Sequence, residues 1–193
     1  MDPLVPFVKA VIIMDADGKR LSAKYYAREE FPTDEDKTAL ELKLFRKTKH
    51  TNARSEAEII MLEQNVALYR MSNETRFFVI GSALENELIL SGVLDALHES
   101  LSTLLRGQTD RRSLLDALEL VILTIDELVD GGMILEMDPN NIVSRVLMRG
   151  PASAGASGAG GEVPLTELTI GQALASAREQ FIKSMGTQSG QGF

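Results

Sequence analysis

The chain has no cysteine, no tryptophan and only two histidines in 193 residues. Without cysteine there is no disulfide, no thiolate nucleophile and no thiolate metal site, and such a composition fits a reducing cytosol. No run approaches the roughly 20 apolar residues of a membrane-spanning helix. The first residues lack the basic-then-apolar order of a secretion signal, so the protein is expected to stay where it is made. Positive charge is also scarce: 20 Lys and Arg stand against 28 Asp and Glu, a formal net charge of −8. A general nucleic-acid binder needs clustered cations to neutralise phosphates, and this balance argues against one. The local exception is Lys43, Arg46, Lys47, Lys49 and Arg54, preceded by the acidic run Glu29, Glu30, Asp34, Glu35 and Asp36. Acids at the start and cations at the end suit a helix dipole, so this segment is expected to end as a solvated helix terminus.

Catalytic patterns are missing as well. His50 and His98 lie in different predicted elements with no evident carboxylate or nucleophile partner, and both are expected at the surface. Asp126, Glu127 and Asp130 read as the solvated face of a helix. No Ser/His/Asp order, zinc-ligand spacing or dinucleotide fingerprint is present. The expectation is a protein that is not an enzyme and carries no cofactor or metal.

What is present begins with a β-hairpin. Residues 7–14 are apolar at nearly every position, as a strand covered on both faces requires, whereas Leu21, Ala23 and Tyr25 alternate with polar neighbours. Asp15 to Gly18 supply the turn between them. Thr33 before three acids starts a helix over about 34–47. Three short β-prone runs follow at Glu58–Leu62, Val66–Met71 and Arg76–Gly81, read as a meander. Asn73-Glu74-Thr75 has the form of a glycosylation sequon but is read as the hairpin turn between the last two runs. Helical leucine stripes then predict two long helices, from about Asn86 to Leu105 and from Asp110 to Asp130. The second stripe comprises Leu114, Leu115, Leu118, Val121, Ile122, Ile125, Leu128 and Val129. Asp138 and Pro139 open a short helix to about Met148. Residues 1–149 are thus expected to form one domain, and 150–162, almost all Gly, Ala, Ser and Pro, a flexible linker. A terminal amphipathic segment occupies 163–185, with Ile170, Leu174, Ala177, Phe181 and Met185 as its stripe, and 186–193 is expected to be a disordered tail.

Two helices carry more apolar residues than one core face needs. At about 100° per residue, Leu40 and Leu44 share one side of the first helix while Leu42 and Phe45 fall on another. In the last long helix, Leu120 and Leu123 fall outside the main stripe. Leu42, Phe45, Leu120, Leu123 and, on the terminal segment, Phe181 are therefore the candidate partner-interface residues.

The order of hairpin, helix, meander and two long helices resembles the longin-like fold. That resemblance implies an α+β domain in which a five-stranded antiparallel sheet carries one helix on one face and two on the other, with short C-terminal helices. Residues 7–14 with Asp17-Gly18, Leu21 to Tyr26, Phe77 to Ser82, Glu85-Asn86-Glu87-Leu88, Asp126-Glu127 and Gly131-Gly132-Met133-Ile134-Leu135-Glu136 resemble the small subunits of vesicle coats and clathrin adaptors. Val163 to Glu167 and Ala175 to Gln180 are similar to the end of the coatomer zeta family. This resemblance implies a non-catalytic subunit of the COPI coat, seated on the trunk of the gamma subunit and recruited to Golgi membranes through an Arf-type GTPase. It further implies service in retrograde Golgi-to-ER and intra-Golgi transport, and a cytoplasmic protein peripheral to the membrane. Two other readings remain open here. One is a sigma-like adaptor subunit that binds sorting peptides in a hydrophobic groove beside the start of the Arg76–Gly81 strand and the Asn86–Leu105 helix. The other is a longin-type regulator of a trafficking GTPase.

Overall fold

The computed structural model describes residues 5–148 apart from Asn52 and Ser55. The predicted linker at 150–162, the segment 163–185 with Phe181, and the tail at 186–193 lie outside the described residues. Strands β1 (Val8–Met14), β2 (Arg20–Tyr25), β3 (Glu58–Leu62), β4 (Asn65–Ser72) and β5 (Thr75–Ser82) form one antiparallel sheet in the order β2-β1-β5-β4-β3. Helix α1 (Asp34–Thr48) follows β2, and α2 (Glu87–Leu104), α3 (Arg111–Asp116), α4 (Leu118–Leu128) and α5 (Pro139–Met148) follow β5.

Alternation along the strands builds a core on each side of the sheet. Ala10, Ile12 and Met14 join Ala67, Tyr69, Phe78 and Ile80 beneath Leu40 and Leu44 of α1. Val11 and Ile13 join Val66, Leu68, Phe77 and Val79 beneath α2, α4 and α5. The nearly continuous apolar run of β1 is thus used on both faces.

Local signals place the element ends. The Thr33 hydroxyl accepts from the Asp36 amide at 3.2 Å and the Asp36 carboxylate accepts from the Thr33 amide at 3.2 Å, a reciprocal cap at the start of α1. Asn86 and Asp110 cap α2 and α3, and Asp138 accepts from the Asn140 amide at the start of α5. Asn73 and Glu74 both have positive φ, 47° and 65°, as the tight turn between β4 and β5 requires, in agreement with the reading of that sequon as a turn.

Tertiary structure overrides the sequence pattern in four places. First, the β1–β2 register shifts between Ile13 and Met14, so Leu21 packs against the α2-side core while Ala23 and Tyr25 face α1; the simple alternation of β2 is broken by a bulge. Second, the helix expected over 110–130 is two. It breaks at Ala117 (φ −114°, ψ 31°) and ends at Leu128. Alanine is the best helix former, so its identity signals no break. Val129–Asp130 (β6) instead pairs with Met133–Ile134 (β7) in a small hairpin whose Gly132 carbonyl accepts from the Val8 amide at 2.8 Å. Third, His98 is not a surface residue. Its ring stands edge-on to Phe77 with centres 5.5 Å apart, and among the described residues neither ring nitrogen has a hydrogen-bond partner. Fourth, Glu127 is buried beneath Arg145 of α5 at 3.7 Å and does not belong to a solvated acidic face.

Candidate partner interface

Helix α1 presents its residues to the sheet as its periodicity predicts on one side and departs from it on the other. Leu40 and Leu44 are 8% and 0% exposed, and Leu42 is 45% exposed. Glu41 is also buried, because it accepts from the Tyr25 hydroxyl at 2.6 Å and pairs with Arg20 at 2.7 Å, which ties α1 to β2. Burial, followed by this bond to a carboxylate, pushes the Tyr25 hydroxyl well above the ordinary phenol range.

Phe45 is half-buried and already has neighbours within its own chain. Its ring lies under the Arg76 guanidinium, 5.3 Å from the ring centre, and against the β1–β2 turn at Gly18. Arg76 is itself buried and donates to the carbonyls of Asp15 and Ala16 at 3.1 and 3.2 Å. The turn, α1 and β5 are thereby locked together through one aromatic ring.

On the other face, Leu120 and Leu123 are half-buried against the α2-side core, while Leu115 and Ile122, expected in the core stripe, are 41% and 39% exposed. Taking Val121 as zero and about 100° per residue, Glu127 lies near 240° and Leu120 near 260°. Helix α5 packs on that side, with Arg145 over Glu127, and so turns the buried arc of α4 toward Leu120 and away from Ile122.

The basic segment at the end of α1 is partly engaged. Lys43 pairs with Glu63 at 2.6 Å and Lys47 donates to the Met61 carbonyl at 2.7 Å. Sequence reading missed several other exposed apolar side chains, among them Ile59, Met61, Leu84 and Leu88. A signal existed for Leu88 alone, which falls about 160° from Leu90 and therefore off the stripe of α2.

Among the described residues no constellation suited to catalysis emerges from the clefts. The one beside the β1–β2 turn, about 500 Å³, is lined by Asp15, Asp17, Asp110, Arg111 and Arg112 among others. Two of its acids are committed to structure: Asp15 accepts from the amides of Asp17 and Lys19, and Asp110 from those of Arg112 and Ser113. Among the described residues there is no group of three or more His, Asp and Glu placed to hold a metal ion. No helix among them is long and apolar enough to cross a membrane. At the start of β5, where a peptide groove was one expectation, Asn73 donates to the Gly107 carbonyl at 2.9 Å and Thr109 to Ser72 at 2.9 Å. That corner is cross-linked by polar side chains.

A five-stranded antiparallel sheet with one helix on one face and a helical layer on the other is the architecture of the small chains of adaptor and coat complexes. A family model described as clathrin adaptor complex small chain matches residues 7–153. Coatomer subunit zeta-1 of Arabidopsis thaliana is 42% identical over 182 residues, covering 94% of this chain and 98% of that protein. Coatomer subunit zeta-1 of Homo sapiens is 43% identical over 180 residues, covering 93% of each. A chain from a homology model of the full-length AP-3 complex in a stretched open conformation superposes with a TM-score of 0.56 at 19% identity, covering 73% of this chain and 92% of that one. This last likeness bears on the fold alone. The chain belongs to the clathrin adaptor small-chain family and, within it, to the coatomer zeta subunits.

Proposed function

We propose that the protein is a non-catalytic, structural subunit of the COPI vesicle coat. In this reading it binds the trunk of the gamma subunit and, through it, the remaining coat subunits. It reaches Golgi membranes from the cytoplasm by way of an Arf-type GTPase and serves retrograde Golgi-to-ER and intra-Golgi transport. The observation that carries the reading is the near end-to-end match to coatomer zeta subunits of a plant and an animal. Leu42 is placed at the centre of the contact, because it is the residue of α1 whose apolar side chain the fold leaves uncovered. Phe45, Leu120 and Leu123 contribute only the parts of their side chains left outside the core. The polar cross-links around Asn73 and Thr109 favour this reading over a sorting-peptide groove at the same corner.

The test is co-expression with the gamma trunk. The two chains are expected to co-elute, and the thermal midpoint of this chain is expected to rise on mixing, since a partner that binds only the native state stabilises it. Separate elution with unchanged midpoints overturns the proposal.

A further inference from the structure

A second uncovered surface lies along the β3 edge and the start of α2. Ile59 and Met61 of β3, Leu84 in the β5–α2 connection and Leu88 in the first turn of α2 are 55%, 52%, 96% and 81% exposed. Ile59 and Met61 stand opposite Leu68 and Val66, both members of the α2-side core, so they lie on that face of the sheet. Val66 stands in turn opposite Gly81, which sits so close beneath Leu90 that a β-carbon there would lie 2.7 Å from it. Met61 is therefore two strand spacings, about 10 Å, from the strand that carries the first turns of α2. The Ala83 amide donates to the Gln64 carbonyl at 2.9 Å, tying the β3–β4 turn to the connection that bears Leu84.

The backbone of the two leucines is fixed by hydrogen bonds while their side chains stay outside both cores. The Leu84 amide donates to the Ser82 hydroxyl at 3.3 Å and the Leu88 amide to the Asn86 side chain at 2.9 Å. With Asn86 as cap, an apolar staple across the helix start would use positions 85 and 90, and position 85 is a glutamate. Nor is this an edge open to strand addition. The Met61 carbonyl accepts from Lys47 at 2.7 Å, and an edge blocked by lysine resists pairing with a further strand. What the edge offers is side chains.

Charge decides the kind of partner. Glu85 and Glu87 flank Leu84 and Leu88, whereas Glu58 turns to the α1 face, where it accepts from the Tyr69 hydroxyl, and Lys43 and Lys47 are already engaged with Glu63 and Met61. An acidic ground repels an anionic membrane surface and complements cations on a protein. We infer that the Ile59, Met61, Leu84 and Leu88 edge seats in an apolar groove with a basic rim on the large coat subunit, as a second contact besides Leu42 of α1. This rests on the coat reading above.

The experiment uses the full chain and the purified gamma trunk, titrated at low and high salt. Leu84→Ser with Leu88→Ser, and separately Glu85→Lys with Glu87→Lys, are compared with the unaltered chain, with folding followed by circular dichroism. Each pair is expected to weaken binding at least tenfold while leaving the spectrum unchanged, the charge reversal losing most at low salt. Vesicles containing phosphatidylserine are expected to leave the unaltered chain in solution. Unchanged affinity for both pairs overturns the inference, as does flotation with the vesicles that is lost in the leucine pair. If the unaltered chain does not bind the trunk, the coat reading falls with it. If Leu42→Asp weakens binding and neither edge pair does, the edge contact alone is overturned.

Discussion

The ring of Phe45 lies so close to Gly18 that a β-carbon on that glycine would stand 2.5 Å from it. Gly18 also holds a φ of +80°, so both its backbone conformation and its missing side chain serve the contact. Gly18→Ala is expected to lose roughly 1–2 kcal/mol for the left-handed backbone alone, and more for the displaced ring. In a Phe45→Ala background only the backbone part should remain. A double-mutant cycle by urea denaturation measures the difference, and strict additivity would show that the ring is free to move.

Leu42 and Leu44 are two residues apart on α1 and are expected to behave oppositely when charged. Leu44→Asp buries a carboxylate in a dry core and should unfold the domain, a loss on the order of its whole stability of about 5–15 kcal/mol. Leu42→Asp should change stability by about 0.5 kcal/mol or less and reduce gamma-trunk binding at least tenfold. Circular dichroism and titration calorimetry on each variant check this. Phe45 does not belong in that comparison, because its contacts with Gly18 and Arg76 make Phe45→Asp a folding mutation.

His98 makes stability depend on pH. Its pKa is lowered, first by burial and then by the nearby charge of Arg70, with Asp95 opposing. The unfolded chain, with an ordinary histidine pKa of about 6.5, therefore binds the proton more readily than the native one. Stability should fall as pH drops below that value. His98→Leu should remove that part of the slope, and at neutral pH should leave stability within about 1 kcal/mol, since both ring nitrogens lack partners. Thermal midpoints measured between neutral and mildly acidic pH check it; identical slopes in the two proteins would refute it.

Thr33→Ala should cost about 1 kcal/mol, because it leaves the Asp36 amide without its acceptor and removes the bond that the Thr33 hydroxyl donates to the Asp36 carboxylate. Thr33→Ser, which keeps the hydroxyl, should recover most of that. Denaturant midpoints of the two variants are the measurement.

Much of the architecture was legible in the order of residues. The two-sided burial of β1, the caps at Thr33 and Asp138, the turn at Asn73-Glu74 and the inward placing of Leu40 and Leu44 each follow from neighbours within a few positions. The candidate surface was legible only in part. Periodicity placed Leu42 outside correctly but could not distinguish an outer face that is free from one that the chain itself covers, as at Phe45. It also left Leu84 unread, since that residue belongs to a connection with no repeat to measure it against.

The sequence by itself determined the five strands of the main sheet, the helices α1, α2 and α5, their order and the faces that α1 and α2 turn to the sheet, because hydrogen bonding, capping and side-chain direction within one element are set by residues at most four or so apart. Only the tertiary structure decided the rest. It put the bulge at Leu21, the break at Ala117, Glu127 beneath Arg145, His98 against Phe77 and the Phe45 ring between Gly18 and Arg76. Each of these joins parts of the chain that local pattern treats separately, and each is settled by which surfaces the packed helices and the sheet exclude from water.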